Sequence, residues 1–127
     1  MEDGILDPAD PNFHAKQRVL QRTGRHRFRI LGPSWWPEEM PSDEEYYTAL
    51  GTLDQANWRV DYVITHCAST SIALTMDRHN EADHLTEFLE MVDRKLEYQY
   101  WFFGHFHDNR SVDQKHILLW EQIVQIL

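Results

Sequence analysis

The order of structure over residues 60–103 constrains the fold of this chain more than any other feature. Residues 60–65 (VDYVIT) are short and rich in β-branched side chains, which is typical of a strand. Residues 100–103 (YWFF) form a second apolar segment, and between the two, apolar side chains recur at helical spacing over residues 81–97. Strand, helix and strand in this order predict a βαβ unit with parallel strands and a right-handed crossover.

Capping residues and weaker patterns predict the remaining elements. Ser42 and Glu45 match a capping box and open a helix that we expect to reach residue 57, and Asn80 is expected to cap the helix over residues 81–97. The Ser- and Thr-containing segment before Asn80 is expected to be a loop. The other predicted elements are a helix over residues 13–22 and strands over residues 25–31, 117–120 and 123–127.

Composition limits the partners and the compartment. The chain has 127 residues, with 12 Lys and Arg against 21 Asp and Glu, and its net charge of −9 argues against general binding to nucleic acid. No apolar run exceeds four residues, so the sequence predicts neither a membrane span nor a signal peptide. The single cysteine, Cys67, fits a reducing compartment, and we expect a cytoplasmic protein.

Three histidines stand directly after the predicted strands. His66 follows the first strand, and His105 and His107 follow the second within Gly104-His105-Phe106-His107. Because the carboxyl ends of parallel strands meet at one edge of a sheet, we expect the three imidazoles to share that edge. His105 and His107, two apart in extended backbone, are expected to project to the same side. The alternative interpretation is that these histidines form ordinary hydrogen bonds in a polar loop. Three histidines that converge on one point favour a metal site over that alternative.

These residues also carry a resemblance to a known family. The segments VDYVITHC (60–67) and WFFGHFH (101–107) resemble the C-terminal half of calcineurin-like metallophosphoesterases, and GPSWWPEE (32–39) is similar to one bacterial branch of them. The resemblance covers residues 30–127, so residues 1–31 are interpreted as a lead-in segment with a basic run and residues 32–127 as the C-terminal half of the domain.

The resemblance implies a fold, an activity and a set of ligands. It implies an α/β fold, a partial metallophosphoesterase-type β-sandwich flanked by helices, and hydrolysis of a phosphate-ester substrate by metal-activated water. The complete family domain holds two divalent ions, which are Mn, Fe or Zn. By position, His66 and His105 would bind one ion and His107 the other.

Part of the family's site is missing from this sequence. The remaining ligands of the family come from Asp-x-His, Gly-Asp and Gly-Asn-His-Asp/Glu motifs before the equivalent of His66, and none of these occurs here before His66. The later Asp77-Arg78-His79 spells Asp-x-His, which we interpret as a coincidence. We therefore expect a fragment without its own catalytic residue. The acid/base histidine of the family would belong to missing N-terminal sequence, and the isolated chain is expected to have little activity.

Neighbouring residues have weaker assignments. Gly104 is expected to let a ligand approach the backbone closely, and Asp108, Asn109 and Arg110 are candidates for orienting the histidines or contacting substrate, although turn chemistry explains them equally well. Cys67 is expected to be a small packing residue and not a nucleophile paired with His66, because adjacent residues in extended backbone point to opposite faces.

Two alternatives to a hydrolase remain open. The chain can be a truncated, noncatalytic domain that associates with itself through an exposed sheet edge and the Trp35-Trp36 pair. It can also be a protein that binds a single zinc ion through its histidines, with water as the fourth ligand of the ion.

Overall fold

The computed structural model describes residues 5–22, 29–30, 37–78 and 80–127. The chain divides into two units, residues 1–42 and residues 43–127. In the first unit, the short strands β1 (Ile5–Leu6) and β2 (Arg29–Ile30) pair in parallel, and the helix α1 (Phe13–Arg22) lies between them in sequence and matches its predicted bounds. The predicted strand residues 25–28 and 31 lie outside the described residues, as do Trp35 and Trp36.

The second unit contains the predicted βαβ region. Its elements, in chain order, are α2 (Asp43–Gln55), β3 (Tyr62–Thr65), α3 (Thr70–Met76), α4 (His84–Lys95), β4 (Tyr100–Phe103), β5 (Arg110–Ser111) and β6 (His116–Leu118). Over the described ranges of the whole chain, the fold is therefore mixed α/β, with four α-helices and a four-stranded mixed sheet in addition to the β1–β2 pair. None of the described helices is long and apolar enough to cross a membrane.

The larger sheet has the strand order β3-β4-β6-β5. β3 and β4 are parallel, with Tyr62 opposite Tyr100 and Thr65 opposite Phe103, and β6 continues the parallel arrangement on the other side of β4. β5 is antiparallel to β6. The predicted parallel pairing of the two βαβ strands is confirmed, and the carboxyl ends of β3 and β4 lie side by side.

One face of this sheet forms the core with α3 and α4. Trp101 and Phe103 of β4 and Leu118 of β6 are at most 2% exposed, and they cluster with the buried residues Ala68, Ile72, Leu89, Val92, Leu96 and Tyr98. Strand alternation places Tyr62, Ile64, Tyr100 and Phe102 on the opposite face. On that face Ile64 is 76% exposed, whereas Phe102 is buried.

The C-terminal segment differs from its prediction. Residues 123–127 were expected to form a strand, but the last described strand ends at Leu118 and the chain continues without regular structure. The Tyr62 hydroxyl donates a hydrogen bond of 2.7 Å to the carbonyl of Ile126, so the end of this segment contacts β3 through a side chain of the second face. Ile123 and Leu127 are fully exposed, so this segment lacks the buried face that a strand would need.

Candidate metal site

The ends of β3 and β4 are joined by a backbone hydrogen bond beyond the last strand pair. The Gly104 N–H donates to the carbonyl of His66 at 3.1 Å, so the parallel ladder continues into the segments that carry the histidines. A Cβ added at Gly104 would lie 3.8 Å from Nδ1 of His66, which is an ordinary contact distance. Gly104 therefore acts at this edge through its backbone, and the space around it does not itself require a glycine.

His66 and His105 are brought together at this edge, as predicted for these two residues. Nε2 of His66 lies 3.2 Å from Nδ1 of His105, with ring centroids 5.1 Å apart and ring planes nearly perpendicular. Two nitrogens that each lie about 2.1 Å from one tetrahedral ion are about 3.4 Å apart. The observed separation thus fits two ligands of one ion, and the same contact is a hydrogen bond when no ion is bound. His66 is exposed, so an ion can enter from solvent.

Cys67 joins the two histidines, which differs from its expected role in packing alone. Its Sγ and the two imidazole nitrogens all lie within 4.8 Å of one another. The prediction assumed extended backbone, but β3 ends at Thr65 and the chain bends at His66 and Cys67. Strand alternation no longer applies after Thr65, and two adjacent side chains can therefore approach the same point. Cys67 also packs against the hydrophobic core, as expected.

A hydrogen-bond chain from the core stabilises this bend. The indole N–H of Trp101 donates to Oγ1 of Thr65 at 2.8 Å, and the Thr65 hydroxyl donates to the carbonyl of Cys67 at 2.6 Å. Since Trp101 is 1% exposed and packed in the core, these two hydrogen bonds tie the backbone of Cys67 to the core of the sheet.

His105 has a strained backbone conformation. Its φ is 70°, and the Phe106 N–H donates to the carbonyl of Gly104 at 2.9 Å, which closes a γ-turn of the rare form with positive φ. Such a conformation costs about 1–3 kcal/mol in a residue other than glycine and occurs most often at functional sites. His107 also has a positive φ, of 51°. The segment is therefore not extended, and the two side chains do not follow the spacing of a strand.

His107 is placed apart from the cluster. Its ring stacks on Trp120 with centroids 5.5 Å apart and an angle of 11° between the planes, and both side chains are exposed. Among the described residues, the group of converging ligand atoms comprises His66, Cys67 and His105. Of the three histidines predicted to share the edge, two converge and the third packs against an aromatic ring.

The residues after His107 contact other parts of the chain. The side-chain oxygen of Asn109 accepts a hydrogen bond of 2.8 Å from the backbone N–H of Trp120. The guanidinium of Arg110 donates to Sδ of Met76 at 3.1 Å. Asp108 accepts from the backbone of Asn109 within the same turn. Asn109 thus holds the tryptophan on which His107 stacks, which is an indirect way of orienting that histidine.

The donor set fits one ion better than a pair of ions. Two imidazoles and a thiol suit Zn²⁺ and similar metals, and three protein ligands leave a fourth position open. No carboxylate belongs to the converging group in the described ranges, so the bridging ligand of a dinuclear centre is not found there. Asp77 is described and His79 lies outside the described residues.

Comparison of the chain with family models, with curated proteins and with solved structures finds no match. A relation to calcineurin-like metallophosphoesterases therefore rests on the motifs and on the site geometry.

Proposed function

We propose that this chain is the C-terminal portion of a metal-dependent phosphoesterase domain, in which His66 and His105 bind one divalent ion at the carboxyl edge of the sheet. The observation that carries the proposal is the 3.2 Å separation of their ring nitrogens at the ends of two neighbouring parallel strands. This edge is where open α/β sheets bind ligands. The Gly104-His105-Phe106-His107 motif adds the resemblance to the phosphoesterase family.

The two histidines have defined tasks in this proposal. When bound, a divalent ion supplies the Lewis-acid charge that polarises a phosphate ester and favours attack by water. His66 and His105 would hold the ion at the carboxyl edge of the sheet. There its positive charge would offset the repulsion between an anionic substrate and a chain of net charge −9. The exposure of His66 leaves room for substrate on the solvent side.

The second face of the sheet supports an incomplete domain. Ile64 and Tyr100 on this face are 76% and 41% exposed. Both lie beside the buried Phe102, since Ile64 is opposite it on β3 and Tyr100 precedes it by two residues on β4. Exposed apolar residues on a sheet face indicate a surface that another layer covers. We propose that a second sheet packs there, which would complete a β-sandwich flanked by helices. Additional sequence N-terminal to this chain would supply that second sheet. It would also supply the carboxylates and the ligands that bind the second ion together with His107.

A second candidate is a noncatalytic domain that binds one metal ion. Cys67 favours this alternative, because a thiol within 4.8 Å of both imidazoles provides a third ligand without any carboxylate. In that case the ion would stabilise the fold, and its removal by a chelator would lower the unfolding temperature.

Hydrolysis of an aryl phosphate with added Mn²⁺ tests the first candidate. We expect the 127-residue chain to show little turnover. A longer protein that carries the three missing motifs upstream should hydrolyse the ester and lose at least about 100-fold of its activity in the His105→Asn variant, since even the outer partners of metal ligands are worth 10–100-fold. His14→Asn is the matched control, because His14 is exposed on α1.

Two outcomes would contradict the proposal. Strong turnover by the 127-residue chain, lost in His105→Asn, would show that no further ligands are needed. Metal binding that is unchanged in both His66→Asn and His105→Asn would show that the ion is not held at this edge.

A further inference from the structure

We propose that Cys67 is the third ligand of a mononuclear site with His66 and His105, and that its thiolate makes this site select Zn²⁺ over Mn²⁺ and Mg²⁺. The inference rests on the proposed metal site at these two histidines. It does not depend on hydrolysis, and it assigns to the site a ligand and a metal preference that the phosphoesterase motifs do not provide.

The three ligand atoms need little movement to bind a common ion. In a tetrahedral zinc site with Zn–N of about 2.1 Å and Zn–S of about 2.3 Å, a nitrogen and a sulfur ligand lie about 3.6 Å apart. The Cys67 Sγ lies within 4.8 Å of a ring nitrogen of each histidine, so each nitrogen–sulfur distance has to shorten by at most about 1.2 Å. One pair of ring nitrogens, Nε2 of His66 and Nδ1 of His105, is already 3.2 Å apart.

The backbone around each ligand is fixed by contacts that do not involve a metal. Cys67 is tied through Thr65 to the buried Trp101. His66 is held by the Gly104 N–H through its carbonyl, and His105 is held in its γ-turn. Such fixed positions reduce the conformational entropy that is lost on binding, because the ligands need not be collected from a flexible chain.

The donor types decide which metals this site prefers. Thiolate and imidazole suit Zn²⁺ and Co²⁺, whereas Mg²⁺ and Mn²⁺ favour carboxylate, carbonyl and water oxygens. The converging group offers two nitrogens and one sulfur, and no carboxylate among the described residues shares it. A zinc ion with three protein ligands keeps an open fourth position, where water or a phosphate oxygen can bind.

Titration of the metal-free 127-residue chain with Co²⁺ tests the ligand set directly. We expect one Co²⁺ per chain, visible absorption of a tetrahedral ion and a near-ultraviolet thiolate-to-cobalt charge-transfer band. Zn²⁺ should displace the cobalt, and Mn²⁺ in large excess should not. The charge-transfer band is measured on the unmodified chain, so the test does not depend on a variant that folds.

Variants assign the band to residues. Cys67→Ser should lose the charge-transfer band and bind Zn²⁺ at least about 100-fold more weakly, with far-ultraviolet circular dichroism as the check on folding. His66→Asn and His105→Asn should weaken binding similarly. The matched control is His14→Asn, which should leave the spectrum and the affinity unchanged because His14 is exposed on α1 and does not belong to the converging group.

The outcomes separate this inference from the proposed function. A cobalt spectrum without the charge-transfer band, or unchanged zinc affinity in Cys67→Ser, overturns the role of Cys67. If binding still depends on His66 and His105, the metal site of the proposed function survives that result. Conversely, a thiolate band in a protein whose longer form shows no phosphoesterase activity supports this inference and refutes the hydrolase.

Discussion

His116 is buried between two carboxylates. Its Nε2 lies 2.8 Å from Oδ2 of Asp93 on α4, and its Nδ1 lies 2.8 Å from Oδ2 of Asp113 in the turn before β6. The Tyr98 hydroxyl donates to the other oxygen of Asp93, and Lys115 lies over the Tyr98 ring. A charged imidazole donates to both carboxylates at once, so this arrangement joins a helix, a turn and a strand.

The same contacts shift the pKa values of His116 and of the two carboxyls that flank it. Burial opposes the charge of His116, but hydrogen bonds to Asp93 and Asp113 outweigh it and raise the pKa of the imidazole. Burial also opposes ionisation of Asp93, and hydrogen bonds from His116 and Tyr98 outweigh it and lower the pKa of that carboxyl. For Asp113 burial is likewise outweighed, by backbone and side-chain hydrogen bonds that lower its pKa.

The stabilisation that the cluster provides therefore depends on pH. The contribution of His116, whose pKa is raised, is complete below its ordinary value of about 6.5 and disappears as the pH rises through the raised value. The contribution of the carboxylates, whose pKa values are lowered, is complete above about 3.8 and disappears as the pH falls. The full contribution is thus expected at pH values from about 4 to about 6.5.

We predict that His116→Phe lowers the free energy of unfolding by about 3 kcal/mol at pH 5.5, because it leaves two carboxylates without their cation. The loss should be smaller at pH 9, because the contribution of the imidazolium charge decreases as the pH rises through the raised pKa of His116. Urea unfolding at both pH values measures the difference, with His14→Phe on the exposed side of α1 as the control. An equal loss at both pH values would show that packing alone accounts for the effect.

Single residues were the hardest features to predict from the sequence. His66 and His105 could be placed because each follows a strand, and the position of a strand end is a property of the element. The position of Cys67 beside the two histidines was missed because it depends on a bend one residue beyond β3. The His116 cluster was missed because Asp93 lies 23 residues away in sequence, although Asp113 at three residues is a local signal that was available.

Helix α4 shows how local hydrogen bonds set the ends of an element. Asn80 was expected to cap this helix, but its side chain donates to the carbonyl of Ala73 at 2.8 Å and so contacts the end of α3. The N-cap is Asp83, which accepts from the Thr86 N–H at 2.8 Å while the Thr86 hydroxyl accepts from the Asp83 N–H at 2.9 Å. This reciprocal pair begins the helix at His84, three residues later than predicted.

We predict that Asp83→Ala lowers the free energy of unfolding by about 1 kcal/mol, which is the usual effect of removing an N-cap side chain. Asp83→Ser is the matched variant, because a serine hydroxyl retains an acceptor for the Thr86 N–H and should lose a few tenths of that amount at most. Thermal unfolding of both variants measures the two losses. Equal losses would show that the capping hydrogen bond contributes little to this helix.

Helix α3 was not predicted because tertiary contacts stabilise it. Its seven residues are fewer than an isolated helix needs in water. Ile72 and Ala73 are buried, and Glu90 of α4 accepts hydrogen bonds from both the backbone and the hydroxyl of Ser71. Ser, Thr and Ala in this segment indicate a loop when they are considered without α4, so the helix becomes evident only from its packing.

At the scale of the whole molecule, the connection rules were a reliable guide. The strand–helix–strand order was sufficient to predict that β3 and β4 are parallel and that their ends meet, since few other connections are physically allowed. The position of β6 beside β4 and the antiparallel β5 could not be predicted in the same way. They depend on which strand pairs with the second edge of β4, and several short apolar segments have suitable composition.

The outer edge of β3 has a consequence for association. Within the described part of the chain, no strand pairs with this edge, and Ile64 beside it is 76% exposed. An unpaired edge next to an apolar side chain is a common route to strand pairing between chains. We therefore predict that the 127-residue chain self-associates through β3 when N-terminal sequence does not cover it, and that Ile64→Lys shifts it toward the monomer.

Sedimentation equilibrium at several protein concentrations measures this effect. Ile64→Lys reduces the magnitude of the net charge from −9 to −8, so a loss of association cannot come from greater repulsion between chains. Its cause would be the charge placed at the strand edge, which natural proteins use to prevent pairing. Leu74→Lys makes the same change of charge at an apolar residue of α3 that is 45% exposed, and it should leave association unchanged. A monomeric wild-type chain would exclude self-association. Equal effects of the two lysines would show that the contact between chains does not involve the edge of β3.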